Sequence, residues 1–466
     1  MRFNIEELYE KFVQFPFICT DTRKIIPNSL FFCLKGENFN GNLFVNEALE
    51  KGASYVITEN SSFDFAQLPA LPERSRRQRD GVVNIENRII VVDDVLKTLQ
   101  QLANYHRNQL KITIIGITGT NGKTTTKELI ASVLSKKYKT AYTQGNLNNH
   151  IGVPLTLLSI KSDDEIAVIE MGANHPGEIA ELCQIVQPDY GLITNIGKAH
   201  LEGFGTVENI IETKTALYRA ARVLFVNNDD EILKQKAEGR KEKGEKEAEE
   251  KSPSNFEGVD GEAGRGSLYN IIFYGKNTDF SGKITEMNPC LVIDLFGKKN
   301  QTHLTGNYNL SNILGAAAIG HFFDVSHQDI CDAIAEYVPQ NHRSQIIKSG
   351  TNTLIADYYN ANPTSMKAAL DNFLQIEAPH KLAILGDMLE LGENSLYEHQ
   401  ALIDFCESKN IDTIFIGPIF YILKNEHFNF FMNVEDCNDY LNNNEVQGNF
   451  ILLKGSRGIH LENVML

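Results

Sequence analysis

The sequence predicts an α/β protein of three domains, and three observations support this prediction. The chain has 466 residues, which is more than a single hydrophobic core usually serves. Apolar, β-rich runs alternate with amphipathic helical runs in two separate stretches, the pattern of doubly wound parallel sheets. A polar stretch, 234–267, interrupts the first of them. We therefore expect domains at residues 1–92, 93–322 and 323–466.

The first predicted domain is a small α/β unit. The segments "SLFFCLKG" and "ASYVITE" are typical of strands, and "FVNEALEKGA" is typical of a helix that ends at glycine. A basic stretch, "ERSRRQRDG" (Glu73 to Gly81), interrupts this domain. Because it is short and lacks aromatic residues, we interpret it as an exposed, mobile loop rather than a nucleic-acid surface.

In the second predicted domain strands alternate with helices around a parallel, doubly wound sheet. Its strands are "KITIIGIT", "EIAVIEMG", "YGLITNIG" and "RVLFVN". The stretch 234–267 has many charges and glycines and almost no core-forming residues, so we predict a disordered insertion there. A second alternation, with strands "NTLIADYY", "HKLAILGDM", "DTIFIGP" and "NFILLKGS", predicts a Rossmann-like α/β third domain.

Charge and composition exclude several classes of protein. A formal net charge of −16 argues against general affinity for nucleic acid or anionic membranes, which requires clustered cations. No apolar run approaches the roughly 18 residues of a membrane span, and the acidic N-terminal segment does not resemble a signal peptide. The seven cysteines are scattered without a C-x-x-C pair, which predicts reduced thiols in a cytoplasmic protein.

A glycine-rich loop follows the first strand of the second domain. The sequence "GITGTNGKTTTKELI" begins at Gly116 and leads from an apolar strand into a helix. Such a unit presents backbone N–H groups at a helix N-terminus and forms an anion site. Lys123 can reach the β- and γ-phosphates of a nucleotide, and the Thr124 hydroxyl can coordinate Mg²⁺. The loop departs from the strict phosphate-loop pattern by one position, because glycines stand at 116 and 119 instead of at Ile117.

Two candidate metal ligands end the following strands. Glu170 ends "EIAVIE", and His200 follows the next strand in "TNIGKAH". In a parallel sheet, ligands gather at the carboxyl ends of the strands, and Mg²⁺ binds one or two carboxylates together with substrate phosphates. Position alone leaves two other interpretations open, namely a solvated carboxylate and an ordinary core histidine.

A set of motifs, taken together and in order, resembles the Mur ligase family of peptidoglycan assembly. The motifs are "GITGTNGKTTTKE", "GNLNNHIGVPLTLL", "EMGANHPGEI", "TNIGKAHLEGFGTVENIIETK", "GNYNLSNILGAAA", "ADYYNANPTSMKAAL", "LGDMLELG" and "KGSRG". The resemblance runs from about Thr20 to the C-terminus, apart from the two low-complexity insertions. Within the family, the set is most similar to members that join D-alanyl-D-alanine to UDP-N-acetylmuramoyl-tripeptide.

The resemblance implies an ATP-dependent ligase that activates a carboxylate as an acyl phosphate, which an amine then attacks. It implies two Mg²⁺ ions, with Thr124, Glu170 and His200 as ligands. It also implies that CO₂ carbamylates Lys214, which converts a cation into an anion. Arg343, beyond a hinge, would reach the nucleotide after domain closure. The loop residues implied to bind ATP are Thr118, Gly119, Thr120, Asn121, Gly122, Lys123, Thr124 and Thr125.

Further residues are implied at the two ends of the site. The first domain would hold the uridine diphosphate group, and the last two domains would hold adenosine, the dipeptide and the rest of the nucleotide sugar. Residues implied around the nucleotide sugar are Asp21, Thr22, Arg23, Lys35, Gly36, Asn146, Asn148 and Asn149. Residues implied near adenosine or the dipeptide are Asn309, Asn312, Asp357, Tyr359, Asn360, Asn362, Lys454 and Ser456.

Other functions remain possible from the sequence. A relative that adds the third residue of the peptide, meso-diaminopimelate or lysine, is the nearest alternative, although "YNANP" stands where its "DNPR" type of motif is expected. A phosphate-loop NTPase without ligase activity would need a partner-sensing element, and nothing in the sequence marks one. A relative that has lost catalysis is disfavoured by Lys123, Glu170 and His200. We expect a monomer, and the identity of the tripeptide's third residue stays open.

Overall fold

Three α/β sheet domains form the protein, which confirms the predicted fold class. The structure is a computed structural model that describes residues 4–36, 39–59, 85–250, 270–340 and 342–466. Within these residues, every helix is too short or too polar to cross a membrane. All seven cysteines are free thiols, as predicted.

The N-terminal sheet has four parallel strands in the order β1-β2-β5-β6. Its apolar residues, such as Leu30 and Phe32, are fully buried. The basic stretch at Glu73 to Gly81 lies outside the described residues. The elements are α1 (Ile5–Gln14), β1 (Phe17–Cys19), β2 (Ser29–Phe32), β3 (Lys35–Gly36), β4 (Phe39–Asn40), α2 (Val45–Glu50), β5 (Tyr55–Thr58), β6 (Ile89–Val91) and the linking α3 (Val95–Gln109).

The central sheet is entirely parallel, with six strands in the order β12-β11-β10-β7-β9-β8. From β7 the chain first builds the β8–β9 side and then the β10–β12 side, so the strand order reverses at β7. The elements are β7 (Thr113–Thr118), α4 (Lys123–Leu134), β8 (Thr140–Tyr142), α5 (Gly152–Leu158), β9 (Ile166–Glu170), α6 (Glu178–Val186), β10 (Tyr190–Ile193), α7 (Leu201–Phe204), α8 (Val207–Ala220), β11 (Val223–Asn227), α9 (Glu231–Glu250) and β12 (Asn270–Tyr274).

Part of the predicted disordered insertion is helical, so that prediction is wrong for residues 234–250. Helix α9 covers Glu231–Glu250 and packs on α8 and β11. Leu233 and Ala237, four residues apart on one face, are both fully buried. The segment is rich in Glu, Lys and Ala, which are strong helix formers, and two apolar anchors suffice to dock it. Residues 251–267 lie outside the described residues.

The Leu233→Ala variant tests this packing. Removing the buried side chain should lower the free energy of unfolding by about 2–4 kcal/mol, because it leaves a cavity between α9 and the sheet. The matched control Lys236→Ala changes an exposed residue of the same helix and should stay within about 0.5 kcal/mol of wild type. Chemical denaturation measures both, and equal effects would show that α9 does not pack as described.

A small antiparallel sheet and two helices complete the central region. Its strands, β13 (Gly282–Met287), β14 (Cys290–Leu295) and β15 (Lys298–Thr305), pair in that order. Helices α10 (Asn309–Phe322) and α11 (His327–Glu336) follow, and both pack against α4. Four apolar residues recur at helical spacing on α4 and are fully buried, so they form core rather than ligand contacts: Leu129, Ile130, Val133 and Leu134.

The C-terminal sheet has six strands in the order β16-β17-β21-β18-β19-β20, and only β16 runs antiparallel. Strand β21 therefore lies between β17 and β18, which places Asp357 opposite Lys454. The elements are β16 (Gln345–Ser349), β17 (Asn352–Asp357), α12 (Pro363–Gln375), β18 (Lys381–Gly386), α13 (Ser395–Ser408), β19 (Thr413–Ile416), α14 (Pro418–Ile422), β20 (Asn429–Phe431), α15 (Val434–Asn443) and β21 (Phe450–Lys454).

Candidate active site

A cavity of about 930 Å³ opens at the carboxyl ends of β7, β9 and β10, between the central and C-terminal domains. This is the edge at which ligands bind open α/β sheets, beside the strand where the order reverses. Most of the predicted site residues lie on its wall. They are Thr120, Asn121, Gly122, Lys123, Thr124, Thr125, Asn146, Asn148, Asn149, Glu170, His200, Asn309, Asn312, Arg343, Asp357, Tyr359, Asn360, Asn362 and Lys454.

The glycine-rich loop has a shape that two glycines make possible. Gly119 has φ +145°, and a Cβ atom there would lie 2.0 Å from the Thr194 hydroxyl oxygen. Gly122, with φ +77°, immediately precedes α4, and no side chain caps that helix. The backbone N–H groups of the loop's helix therefore remain available to an anion. Asn195 fixes the loop from the end of β10, because its side-chain oxygen accepts the Asn121 N–H at 3.1 Å.

Lys123 brings a positive group to this anion site. Its ammonium donates to the carbonyl oxygens of Gly119 at 2.8 Å and Thr120 at 3.0 Å. Burial lowers the pKa of Lys123 to about 8, the charge of Glu170 acts in the opposite direction, and Arg343 lowers it further. Because an anionic ligand favours the ammonium form, the site is arranged to gain a charge-stabilising contact when a phosphate binds.

Glu170 has a carboxylate that is only half satisfied by the protein. The residue is 1% exposed, and its Oε1 atom accepts from Asn148 Nδ2 at 2.7 Å and from the Thr124 hydroxyl at 3.2 Å. Its Oε2 atom is buried and has no hydrogen-bond partner. Burying a carboxylate oxygen without a partner costs free energy, so Glu170 Oε2 is suited to bind a cation. Among the described residues no group of three or more His, Cys, Asp or Glu is arranged to hold a metal ion.

His200 lines the same cavity but has a partner that the sequence analysis did not identify. Its Nδ1 atom lies 2.5 Å from a carboxylate oxygen of Glu390 in the C-terminal domain. The hydrogen bond from His200 lowers the pKa of Glu390. The same segments also meet where the Glu202 N–H donates to the Glu390 carbonyl at 3.4 Å. His200 thus joins the two domains through its contact with Glu390.

Lys214 is buried behind the cavity wall rather than on it. It lies on α8 and is 2% exposed, with its ammonium 5.7 Å from the centre of the Phe204 ring. Burial lowers the pKa of Lys214 well below its usual value, the charge of Lys123 lowers it further, and Glu178 acts in the opposite direction. The side chain therefore favours the neutral amine, which is the form that reacts with CO₂.

The C-terminal domain contributes a second charged cluster. Lys454 Nζ and Asp357 Oδ2, at the ends of adjacent strands, form an ion pair at 2.6 Å. The Arg343 guanidinium carbon lies 3.9 Å from the centre of the Tyr359 ring, a stacked cation–π contact. This contact holds the guanidinium on the cavity wall, where its charge acts on Lys123.

Polar contacts hold the nucleotide loop between its neighbours. Asn362 Nδ2, from the C-terminal domain, donates to Asn121 Oδ1 at 2.8 Å. Asn312 lies beside Gly122, where its Oδ1 atom accepts from the Thr126 hydroxyl at 3.1 Å and its amide donates to Asn309 at 2.8 Å. Residues that are far apart in sequence therefore converge on one loop.

Several predicted site residues lie away from the cavity wall. Thr118 is buried within β7, and Gly119 turns behind the loop. Ser456 is also buried, because its hydroxyl accepts the Leu389 N–H at 2.9 Å and ties two loops together. The five residues predicted in the first domain lie apart from the cavity. Asp21 pairs with Arg23, Lys35 pairs with Glu59, Thr22 is buried, and Gly36 lies on the short strand β3.

Two residues of the site were not identified from the sequence. Asn195 stands in the motif "TNIGKAH", directly after β10, and its position at a strand end was a usable signal. Glu390 stands in "LGDMLELG", and no local pattern predicts that it meets His200. Contacts between domains depend on the tertiary arrangement and have no sequence periodicity.

Three family models match the chain in order. "Mur ligase family, catalytic domain" matches residues 14–107, "Mur ligase middle domain" matches 117–320, and "Mur ligase, glutamate ligase domain" matches 342–457. Together they cover most of the sequence and follow the N-terminal, central and C-terminal parts of the fold.

Relatives matched over most of their length, and solved structures with a similar fold, are also Mur ligases. The UDP-N-acetylmuramoyl-tripeptide–D-alanyl-D-alanine ligase of Bacillus subtilis is 32% identical over 96% of this chain and 92% of that protein. The Escherichia coli protein of the same name is 30% identical over 85% of this chain and 80% of that protein. A crystal structure of MurF from Acinetobacter baumannii has a TM-score of 0.78 at 29% identity, covering 96% and 92%. MurF from Thermotoga maritima in complex with ADP has a TM-score of 0.74 at 25% identity, covering 96% of each chain.

Proposed function

Since the chain belongs to the Mur ligase family, we propose that it joins D-alanyl-D-alanine to UDP-N-acetylmuramoyl-tripeptide with hydrolysis of ATP. The product is the UDP-N-acetylmuramoyl-pentapeptide of peptidoglycan synthesis. One observation carries the proposal. Lys123, Thr124 and Glu170 of the central domain face Arg343, Asp357 and Lys454 of the C-terminal domain across a single cavity.

The reaction needs a carboxylate to become an electrophile. A carboxylate oxygen of the tripeptide attacks the γ-phosphorus of ATP, and ADP leaves with the electrons of the broken P–O bond. The dipeptide amine then attacks the carbonyl carbon of the acyl phosphate, loses a proton and displaces phosphate. The protein's task is to position these groups and to neutralise charge. The loop N–H groups and Lys123 do this for the phosphates, and Arg343 approaches from the other domain.

The fit of Glu170 and Thr124 supports Mg²⁺ at this site, with a second ion expected near His200. Glu170 Oε2 is free to bind a cation, and the Thr124 hydroxyl lies beside the same carboxylate. When bound, Mg²⁺ would neutralise negative charge on the transferring phosphoryl group. Thr124, Glu170 and His200 would be its protein ligands.

Lys214 is proposed to be carbamylated. The neutral amine attacks the carbon of CO₂ and releases a proton, which leaves a carbamate anion. Burial and the charge of Lys123 lower the pKa of Lys214 and so favour the reactive neutral form. The charge of Lys123 would also favour an anion at this position, which offsets part of the cost of burying the carbamate. The product would orient Lys123 or a metal ion in a way that an unmodified lysine cannot.

The remaining predicted contacts extend this proposal. The first-domain residues hold uridine diphosphate, the asparagines at 146, 148 and 149 face the nucleotide sugar, and Asn309 and Asn312 lie near adenine. Asp357, Tyr359, Asn360, Asn362 and Lys454 face adenosine or the dipeptide. We also propose the domain boundaries 1–92, 93–322 and 323–466, a monomeric state and a cytoplasmic location, where the nucleotide precursors are made.

A phosphate-release assay separates this function from its alternatives. With ATP, D-alanyl-D-alanine and UDP-N-acetylmuramoyl-tripeptide together, phosphate should be released in equal amount to the pentapeptide formed. Leaving out either the dipeptide or the tripeptide should stop phosphate release. An NTPase would release phosphate from ATP alone, and a relative without catalysis would release none. A ligase that adds the third residue would need UDP-N-acetylmuramoyl-dipeptide with a free amino acid instead.

A further inference from the structure

A second lysine lies one helical turn beyond the nucleotide-binding residues. Lys127 stands on α4, four residues after Lys123, and its side chain has no exposed surface. Removing an ammonium from water costs several kcal/mol unless close partners compensate. Such a group usually has a role that offsets this cost, and the mechanism above does not use Lys127.

The partners of Lys127 are at long distances. Its Nζ atom lies 3.4 Å from Glu128 Oε1 and 3.5 Å from the Gly145 carbonyl oxygen, and 5.7 Å from the centre of the Tyr142 ring. By comparison, Lys381, a lysine distant from the site, donates to three carbonyl oxygens at the end of α12 at 3.0 to 3.2 Å. The surroundings of Lys127 are therefore poorly optimised for stability.

The contact with Gly145 leads to the cavity. Gly145 lies in the connection between β8 and α5, which carries Asn146, Asn148 and Asn149, all on the cavity wall. The side chain of Asn148 donates to Glu170 at 2.7 Å, and its carbonyl accepts the Gly172 N–H at 2.7 Å. The Lys127 ammonium therefore contacts segment 144–149 at Gly145, and the Glu170 carboxylate contacts the same segment at Asn148.

We propose that Lys127 is a positioning residue that holds segment 144–149 against the nucleotide-binding helix. It touches no reacting atom and acts through the Gly145 carbonyl. With the segment held, Asn146 faces the nucleotide sugar while Asn148 orients Glu170. Helix α4 would then position both substrates from one rigid element. Lys123 and Thr124 would lie at the phosphates of ATP, and Lys127 would hold the segment that contacts the nucleotide sugar. The inference rests on the proposed function, since it takes UDP-N-acetylmuramoyl-tripeptide as the ligand of this segment.

The Lys127→Met variant tests the inference, because methionine keeps an unbranched chain and removes the charge. Replacing a poorly paired buried charge by an apolar chain is often neutral or stabilising, so the melting temperature should be unchanged or higher. The Kd for UDP-N-acetylmuramoyl-tripeptide, measured by calorimetry without ATP, should rise about tenfold, the equivalent of losing one charged hydrogen bond. The Kd for an ATP analogue should change less than twofold, and amide hydrogen exchange in 144–149 should become faster.

The Lys381→Met variant is the matched control, and it should lose stability without any change in either Kd. A Lys127→Met protein that behaves like this control, or that loses affinity for both ligands equally, would overturn the inference. Should Lys127→Met not fold, Lys127→Leu, which also removes the charge and the donor, would be measured in the same way with the same criteria. A wild-type protein that binds the nucleotide sugar but forms no pentapeptide would contradict the proposed function and leave this binding test intact.

Discussion

The Lys123→Ala variant is expected to lose ligation by a factor of about 100 to 1,000 while it keeps its fold. The lost ammonium is a half-buried charge on the cavity wall, held at the loop that would bind the transferring phosphoryl group. Removing one such preorganised donor costs about 100- to 1,000-fold in comparable sites (about 3–4 kcal/mol). Stability should not fall, because burial already disfavours the charged form and lowers the pKa of Lys123 to about 8. Steady-state kcat and thermal unfolding measure the two effects.

The Lys136→Ala variant is the control for this experiment. Lys136 follows the same helix, is partly exposed and pairs with Glu336 at 2.7 Å, so it should retain wild-type kcat. A Lys123→Ala protein with normal turnover would exclude the glycine-rich loop from catalysis, because Lys123 is the cation that the loop itself binds.

The Lys214→Ala variant is expected to be nearly inactive and to regain part of its activity in the presence of short carboxylic acids. Alanine removes the carbamate and leaves a buried space behind the cavity wall, where formate or acetate can supply an anion in its place. Rescue should saturate with acid concentration and should be absent in wild type. Initial rates over a range of acid concentrations give the measurement.

Lys214→Met is the matched control, because its side chain fills the space and leaves no room for an added acid. It should be inactive with or without carboxylic acids. A fully active Lys214→Ala variant would refute the carbamate, and equal rescue of both variants would show that the acids act elsewhere.

The local parts of the site could be predicted from the sequence because neighbouring residues determine them. One continuous unit consists of a strand, two glycines with positive φ and a helix that begins at Lys123. Its sequence pattern can be recognised without knowing the rest of the fold. Glu170 could be placed for the same reason, since it ends the adjacent strand of a parallel sheet. The buried stripe of α4 followed from helical periodicity.

The contacts between domains could not be predicted, because they depend on how separate units meet. Nothing local links His200 to Glu390, or Asn362 to Asn121. The helical start of the insertion was missed for another reason. Its composition is that of a disordered segment, and only Leu233 and Ala237, once docked on the sheet, distinguish it. The burial of Ser456 likewise follows from a loop contact with Leu389.

The central claim is that the tripeptide carboxylate takes up the γ-phosphoryl group of ATP within this cavity. The direct test uses UDP-N-acetylmuramoyl-tripeptide with ¹⁸O in the reacting carboxylate, together with ATP and D-alanyl-D-alanine. The account predicts that each phosphate released carries one ¹⁸O atom, while the other remains in the new amide. Pentapeptide formation with unlabelled phosphate, or with the label in AMP, would contradict it.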